Sequence, residues 1–143
     1  MGASPSRVLI DIGDMAQRFL ATIGVLYIGL GIWCTLAPVE TSQAVGFLLQ
    51  AGKGQSEFLT VYGGLEVGLG LLFVRPLFRR DEVAFTLWTC MVLHACIVAF
   101  RAAGFFLYSG LAATTYVLAA IEWAIFLGAL WLWRRSVATR SQR

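Results

Sequence analysis

The chain has 143 residues, of which 59% are hydrophobic and only 13% are charged. An ordinary soluble domain carries roughly 25% charged residues and could not bury this much apolar surface in one core of this size, so the composition indicates an integral membrane protein. The net charge of +3 does not indicate nucleic-acid binding, because the basic residues form no stripe with interleaved aromatic residues.

The first predicted element is an amphipathic helix over residues 5–17. Val8, Ile12 and Met15 recur at helical spacing along one face of this helix. Charged residues share another face: Arg7, Asp11, Asp14 and Arg18. We expect this helix to lie on the inner surface of the membrane, and docking on a partner subunit is the alternative interpretation.

Four apolar runs then approach the length of about 20 residues that a membrane-spanning helix needs. They predict a single membrane domain over residues 1–143, organised as an all-α four-helix bundle. The predicted spans are residues 19–37, 58–74, 83–103 and 111–133.

Basic residues are distributed unequally between the two ends of these spans. Lys53 and Arg101 lie at or near one end. Nine arginines lie at the other end: Arg7, Arg18, Arg75, Arg79, Arg80, Arg134, Arg135, Arg140 and Arg143. By the positive-inside rule, we expect a multi-pass protein of the inner (cell) membrane with both termini in the cytoplasm.

Glycines indicate how the first two spans pack. Gly64 and Gly68 have the small-xxx-small spacing that lets membrane helices approach closely. The first span carries further glycines at Gly24, Gly29 and Gly31. We therefore expect Gly64 and Gly68 to contact the first span.

Four ionisable residues fall inside the predicted spans. Placing each charged side chain in the hydrocarbon costs about 3 kcal/mol of free energy unless it is paired with an opposite charge or faces a water-filled cavity. They are Glu66, His94, Arg101 and Glu122. Helical side chains lean toward the N-terminus, so Arg101 leans inward while Glu66 and Glu122 lean outward toward it. We expect a polar cluster of these residues, with Tyr62 as a hydrogen-bond donor one turn before Glu66.

Two interpretations of this cluster stay open. It either fixes the register of the helices or lines a cavity that binds a ligand or moves a proton. Because two carboxylates meet one guanidinium, either one glutamate is protonated or His94 shares the compensation. We expect no cofactor and no metal, because there is a single histidine and the three cysteines have no ligand spacing.

Several of these positions resemble a known family. The stretch Tyr62-Gly63-Gly64, the run from Glu66 to Gly70, the lone Arg101 and Glu122 are similar to the small bacterial membrane family catalogued as domain of unknown function 4345, in the wider DoxX-like group. The resemblance implies a four-helix membrane fold. Some members of the wider group are associated with quinone-linked oxidation of sulfur compounds or with maturation of redox enzymes. This chain lacks the cysteine pair or second histidine that would make redox catalysis concrete.

Three functions follow as hypotheses. The first is a non-enzymatic module, either an accessory subunit of a larger membrane complex or a binder of a quinone, a lipid or a similar amphiphile. The second is a proton-coupled carrier that acts as a homodimer. The third is an enzyme embedded in the membrane, although no nucleophile with an orienting partner is evident in the sequence.

Overall fold

A computed structural model describes residues 5–140 of the protein, with side chains from residue 11 to residue 138. The described part is all-helical and contains no strand, which confirms the all-α part of the predicted fold class. Its α-helices are α1 (Pro5–Leu36), α2 (Pro38–Ala44), α3 (Lys53–Phe58), α4 (Glu66–Val74), α5 (Val83–Leu107) and α6 (Ala113–Arg140).

Four helices are long and apolar enough to cross a membrane. Three of them are the apolar parts of α1, α5 and α6. The fourth joins α3 to α4 through a π-helix over Leu59–Leu65 and ends in a 3₁₀ turn over Arg75–Leu77. We call this continuous stretch, Lys53–Leu77, the composite helix. It extends beyond the predicted span at both ends.

The N-terminal helix differs from its prediction. The sequence predicted an interfacial helix over 5–17 followed by a separate span over 19–37, whereas α1 is one unbroken helix from Pro5 to Leu36. No helix-breaking residue separates the two predicted parts, so the backbone hydrogen bonds can continue across them. The side chain of Val8 lies outside the described part, but Ile12 is buried in the bundle. Residues 5–17 therefore extend the first long helix.

Two pairs of glycines let α1 and the composite helix approach closely. A Cβ atom on Gly70 would lie 2.7 Å from the carbonyl oxygen of Gly24, and one on Gly31 would lie 2.8 Å from the carbonyl oxygen of Gly63. Each pair combines one residue from each helix, and both helices space their glycines seven residues apart. The antiparallel helices therefore meet at two matching positions.

The prediction for Gly64 and Gly68 is wrong. Both residues are exposed, and a Cβ atom on either would meet no atom within 4 Å. Gly63 and Gly70 occupy the face toward α1, and Gly64 lies one residue farther round the helix. The close approach of the two helices was expected, but it uses different glycines.

The remaining contacts leave the bundle tighter on one side than on the other. Helix α5 packs along α6, and α1 contacts both of them. The composite helix packs closely on α1 but makes few contacts with α5. At one end of the bundle, Arg80 holds Asp14 of α1 across 3.1 Å, and the Gln17 amide nitrogen donates to the Pro76 carbonyl oxygen across 2.7 Å. These two bonds tie α1 to the segment between α4 and α5.

Candidate functional site

One pair of ionisable residues forms inside the bundle as the lean of the side chains predicted. Arg101 of α5 donates from Nε to Glu122 Oε2 across 2.9 Å and from Nη2 to Oε1 across 2.5 Å. The arginine and glutamate side chains are 29% and 16% exposed. Bidentate geometry matches the planar guanidinium to the planar carboxylate and uses both carboxylate oxygens. The pair is therefore neutral as a unit and internally satisfied.

His94 lies on the same helix and belongs to a separate hydrogen-bonded group. Its Nδ1 is 2.8 Å from the carbonyl oxygen of Cys90, and its Nε2 is 3.1 Å from the hydroxyl oxygen of Tyr27. A carbonyl oxygen can only accept, so Nδ1 carries the hydrogen. In a neutral imidazole, Nε2 then accepts the Tyr27 hydrogen. The buried ring is satisfied at both nitrogens without a charge.

This neutral form of His94 agrees with its surroundings. The ring has no exposed surface. A buried imidazolium would need a carboxylate partner, and Glu122, the carboxylate in electrostatic range of the ring, is occupied by Arg101. His94 therefore does not supply the positive charge that a second carboxylate would require.

Among the described side chains, the Glu66 carboxyl group has no positively charged partner. Its Oε2 atom is buried, and it is the one buried side-chain oxygen or nitrogen in the described part of the chain that has no hydrogen-bond partner. The predicted cluster therefore divides into a satisfied half, Arg101 with Glu122, and an unsatisfied carboxyl group on another helix. Buried polar atoms without partners are rare in folded proteins and call for an explanation.

The backbone around Glu66 is also unusual. Glu66 is the first residue of α4 and follows directly on the π-helix. A π-helix is rare, and short π segments inside α-helices are frequent at functional sites, because the extra residue re-aims the side chains that follow it. The unpaired carboxyl group thus lies at a local departure from regular helix.

Aromatic rings lie on both sides of Glu66 along the composite helix. Phe73, two turns after Glu66, packs against the Tyr27 ring with a centroid distance of 5.5 Å and against the His94 ring at 6.3 Å. Tyr62, one turn before Glu66, stacks on Phe58 at 4.7 Å. The composite helix therefore carries aromatic rings one turn before and two turns after Glu66.

Tyr62 differs from its prediction in one respect. It was expected to reach the same face as Glu66 as a hydrogen-bond donor, but the buried Glu66 Oε2 atom receives no hydrogen bond. The Tyr62 ring is held by stacking on Phe58 and by an edge contact with Phe47 at 5.7 Å. Tyr62 still lies within electrostatic range of both Glu66 and Arg101. It borders the site without satisfying it.

Tyr27 is a site residue that the sequence interpretation missed. It lies in electrostatic range of Glu66 and Glu122 as well as bonding to His94, so it connects the two halves of the predicted cluster. The available signal was a hydroxyl-bearing side chain in the middle of the first apolar run. A phenol in that position needs a hydrogen-bond partner, and His94 was the unpaired candidate.

The described side chains do not assemble a metal site, since no three histidine, cysteine, aspartate or glutamate residues among them come together. The Cys90 sulfur lies 3.6 Å from His94 Nδ1, but the thiol is fully buried and the histidine hydrogen already goes to a carbonyl oxygen. This pair is therefore not arranged as an accessible nucleophile with its base. What the site does offer is one unpaired carboxyl group beside aromatic rings.

Comparisons with family models, with curated proteins and with solved structures find no match to this chain. The resemblance to the family of domain of unknown function 4345 therefore stays a prediction.

Proposed function

We propose that this protein is a non-enzymatic module of the inner membrane that binds an apolar or amphiphilic molecule at Glu66. The proposed ligand is a quinone, a lipid or a similar amphiphile. In this proposal, the four long helices cross the bilayer, both termini face the cytoplasm, and the family resemblance reflects a shared four-helix membrane fold.

The unpaired Oε2 atom of Glu66 is the observation that carries the proposal. Ionisable residues in membrane helices are rare and costly, and those retained commonly mark a ligand or ion pathway. The other ionisable groups near it already have partners within the chain, namely Arg101 with Glu122 and His94 with Tyr27. A missing partner at Glu66 therefore supports a ligand at that position more than a purely structural role.

The packing of the helices supports access from the bilayer. The composite helix makes few contacts with α5, so the side of the bundle next to Glu66 is the least tightly closed. Gly64 and Gly68 leave open space on the exposed surface of the same helix. An apolar molecule that arrives laterally from the lipid could reach the carboxyl group without first crossing an aqueous phase.

An accessory role in a larger complex predicts a different occupant. A polar side chain of a partner subunit, or of a second copy, would satisfy the same Glu66 oxygen. The enzyme hypothesis gains no comparable support, because the Cys90 thiol next to His94 is fully buried and the histidine hydrogen goes to a carbonyl oxygen. The carrier hypothesis has no comparable observation behind it.

Identification of what accompanies Glu66 tests the proposal. The protein is extracted with its surrounding lipid in polymer-bounded discs, and the bound small molecules and polypeptides are identified by mass spectrometry. We expect an amphiphile at a fixed ratio to the protein, retained by Glu57→Gln and lost from Glu66→Leu. Glu57 is an exposed acid on the same composite helix, so it is a matched control.

Two outcomes would contradict the proposal. One is a wild-type protein that carries no molecule beyond bulk lipid. The other is the same bound molecule at the same ratio in Glu66→Leu. A stoichiometric polypeptide in place of a small molecule would assign Glu66 to a subunit contact.

A further inference from the structure

The charges inside the bundle restrict the chemistry of a ligand at Glu66, and this argument rests on the proposed function. Arg101 and Glu122 neutralise each other through two hydrogen bonds. The neutral His94 ring is satisfied by Tyr27 and Cys90. No cation within the described interior is therefore left for Glu66.

An isolated carboxylate in an apolar interior is costly, so Glu66 without a ligand holds a proton and is neutral. The groups around it offer little to change this. Tyr27 and Cys34 of α1 and Tyr62 of the composite helix lie in its electrostatic range and are neutral in their ordinary forms. On the neighbouring helices, the charged and titratable groups are already engaged with one another: His94, Cys90, Arg101 and Glu122.

We propose that Glu66 is a proton-exchangeable site for a lipophilic cation, which replaces the proton on the Glu66 carboxyl group when it binds. The O–H bond of the carboxylic acid breaks, the proton leaves to the aqueous phase, and the carboxylate pairs with the cation. One positive charge enters as one leaves, so the net charge of the interior does not change. The ligand class is an apolar molecule with a single positive charge.

The aromatic rings near Glu66 suit this class of ligand. Ring faces attract cations that have lost water. Tyr62 lies one turn before Glu66 and Phe73 two turns after it on the composite helix, and Tyr62 and Tyr27 of α1 lie in electrostatic range of the carboxyl group. A strongly hydrated inorganic cation would gain little from this environment, whereas an apolar cation would gain both charge pairing and apolar contact.

Two ions of the same size and opposite charge test the inference. Tetraphenylphosphonium and tetraphenylborate are added to the protein in lipid nanodiscs, and binding is followed by calorimetry with empty nanodiscs as the reference. We expect the cation to bind at least tenfold more tightly than the anion. Because one proton is released, its affinity falls about tenfold for each unit by which the pH is lowered while Glu66 stays protonated.

Variants assign the effect to Glu66. In Glu66→Gln the preference for the cation and the pH dependence are both lost, whereas Glu57→Gln retains both. Proton release in weakly buffered solution provides a second measurement that needs no variant. We expect about one proton for each cation bound and none for the anion.

The outcomes separate this inference from the proposed function. Equal binding of the two ions, or pH dependence that survives in Glu66→Gln, would overturn the cation site. If a neutral amphiphile copurifies and requires Glu66 while the cation shows no preference, the proposed function stands and the inference fails. If no amphiphile of any charge requires Glu66, both fail.

Discussion

Glu122 and Glu66 are two half-buried acids on apolar helices, and they differ in their hydrogen bonding. Glu122 receives two hydrogen bonds from Arg101 on the adjacent helix. Glu66 has a buried oxygen with no partner. The comparison shows that the structural and functional interpretations of a buried charge can both apply within one bundle. The Arg101–Glu122 pair has the geometry of a structural contact, whereas Glu66 is the acid to which the proposed function assigns a ligand.

The largest expected effect comes from breaking the paired half. Arg101→Leu leaves Glu122 buried without its cation, so we expect the free energy of unfolding to fall by about 2 to 3 kcal/mol. This expected loss lies at or below the loss usually measured when a fully buried ion pair is broken, because the arginine side chain is 29% exposed. Equilibrium unfolding in bicelles measures the change.

The matched control for this change is Arg79→Leu. Arg79 pairs with Asp81 across 3.1 Å, but both side chains are more than half exposed. We expect almost no loss of stability from that substitution, because exposed pairs contribute little. Equal losses from Arg79→Leu and Arg101→Leu would show that the Arg101–Glu122 pair has no special structural role.

The next effect concerns the contact that fixes the position of the composite helix and therefore of Glu66. Gly70→Ala places a Cβ atom 2.7 Å from the Gly24 carbonyl oxygen, so the helices must move apart. We expect a loss of about 2 kcal/mol in unfolding free energy. Gly68→Ala, on the exposed surface, is expected to leave stability unchanged or slightly raised. A larger loss of stability from Gly68→Ala than from Gly70→Ala would support the original prediction for Gly64 and Gly68.

Tyr27→Phe removes the hydroxyl that donates to His94 and leaves the buried Nε2 atom without a partner. We expect a loss of about 1 kcal/mol in unfolding free energy. The double variant Tyr27→Phe with His94→Leu should show coupling between the two sites, because each single change removes the same hydrogen bond. Strictly additive losses would mean that this bond does not keep His94 satisfied.

The smallest expected effect is at the unpaired acid. Glu66→Gln removes no ion pair and no hydrogen bond to Oε2, so we expect the free energy of unfolding to change by less than about 0.5 kcal/mol. Thermal unfolding of the ligand-free protein measures this. A loss as large as that of Arg101→Leu would mean that Glu66 has a structural partner, and the comparison between the two acids would fail.

Much of the fold was predictable because long apolar runs and short connections restrict a chain of this size to a few helices. The start of α5 at Val83 agrees with the predicted span, since Pro76 and the charged residues after it end the preceding helix. The extension of α5 to Leu107 was not predicted, because hydropathy alone does not locate the last hydrogen-bonded turn of a helix.

The site was less predictable from the sequence. The tilt of side chains toward the helix N-terminus gives their direction along the helix axis, but it does not say which neighbouring helix they contact. Arg101 could have met Glu66 or Glu122, and the choice depends on α5 packing along α6 and not along the composite helix. The glycines that draw the composite helix onto α1 were misassigned, because the four-residue spacing of Gly64 and Gly68 was followed. The seven-residue spacing shared by both helices was the informative pattern.

Measuring the protonation of the two acids tests most directly whether Glu66 is neutral and unpaired while Glu122 is ionised and paired with Arg101. Infrared spectroscopy of the ligand-free protein in nanodiscs at neutral pH detects the C=O stretch of a protonated carboxylic acid, and Glu66→Gln and Glu122→Gln assign it. We predict one such band, lost in Glu66→Gln and retained in Glu122→Gln. A wild-type protein without the band, or a band that disappears only in Glu122→Gln, would contradict the account.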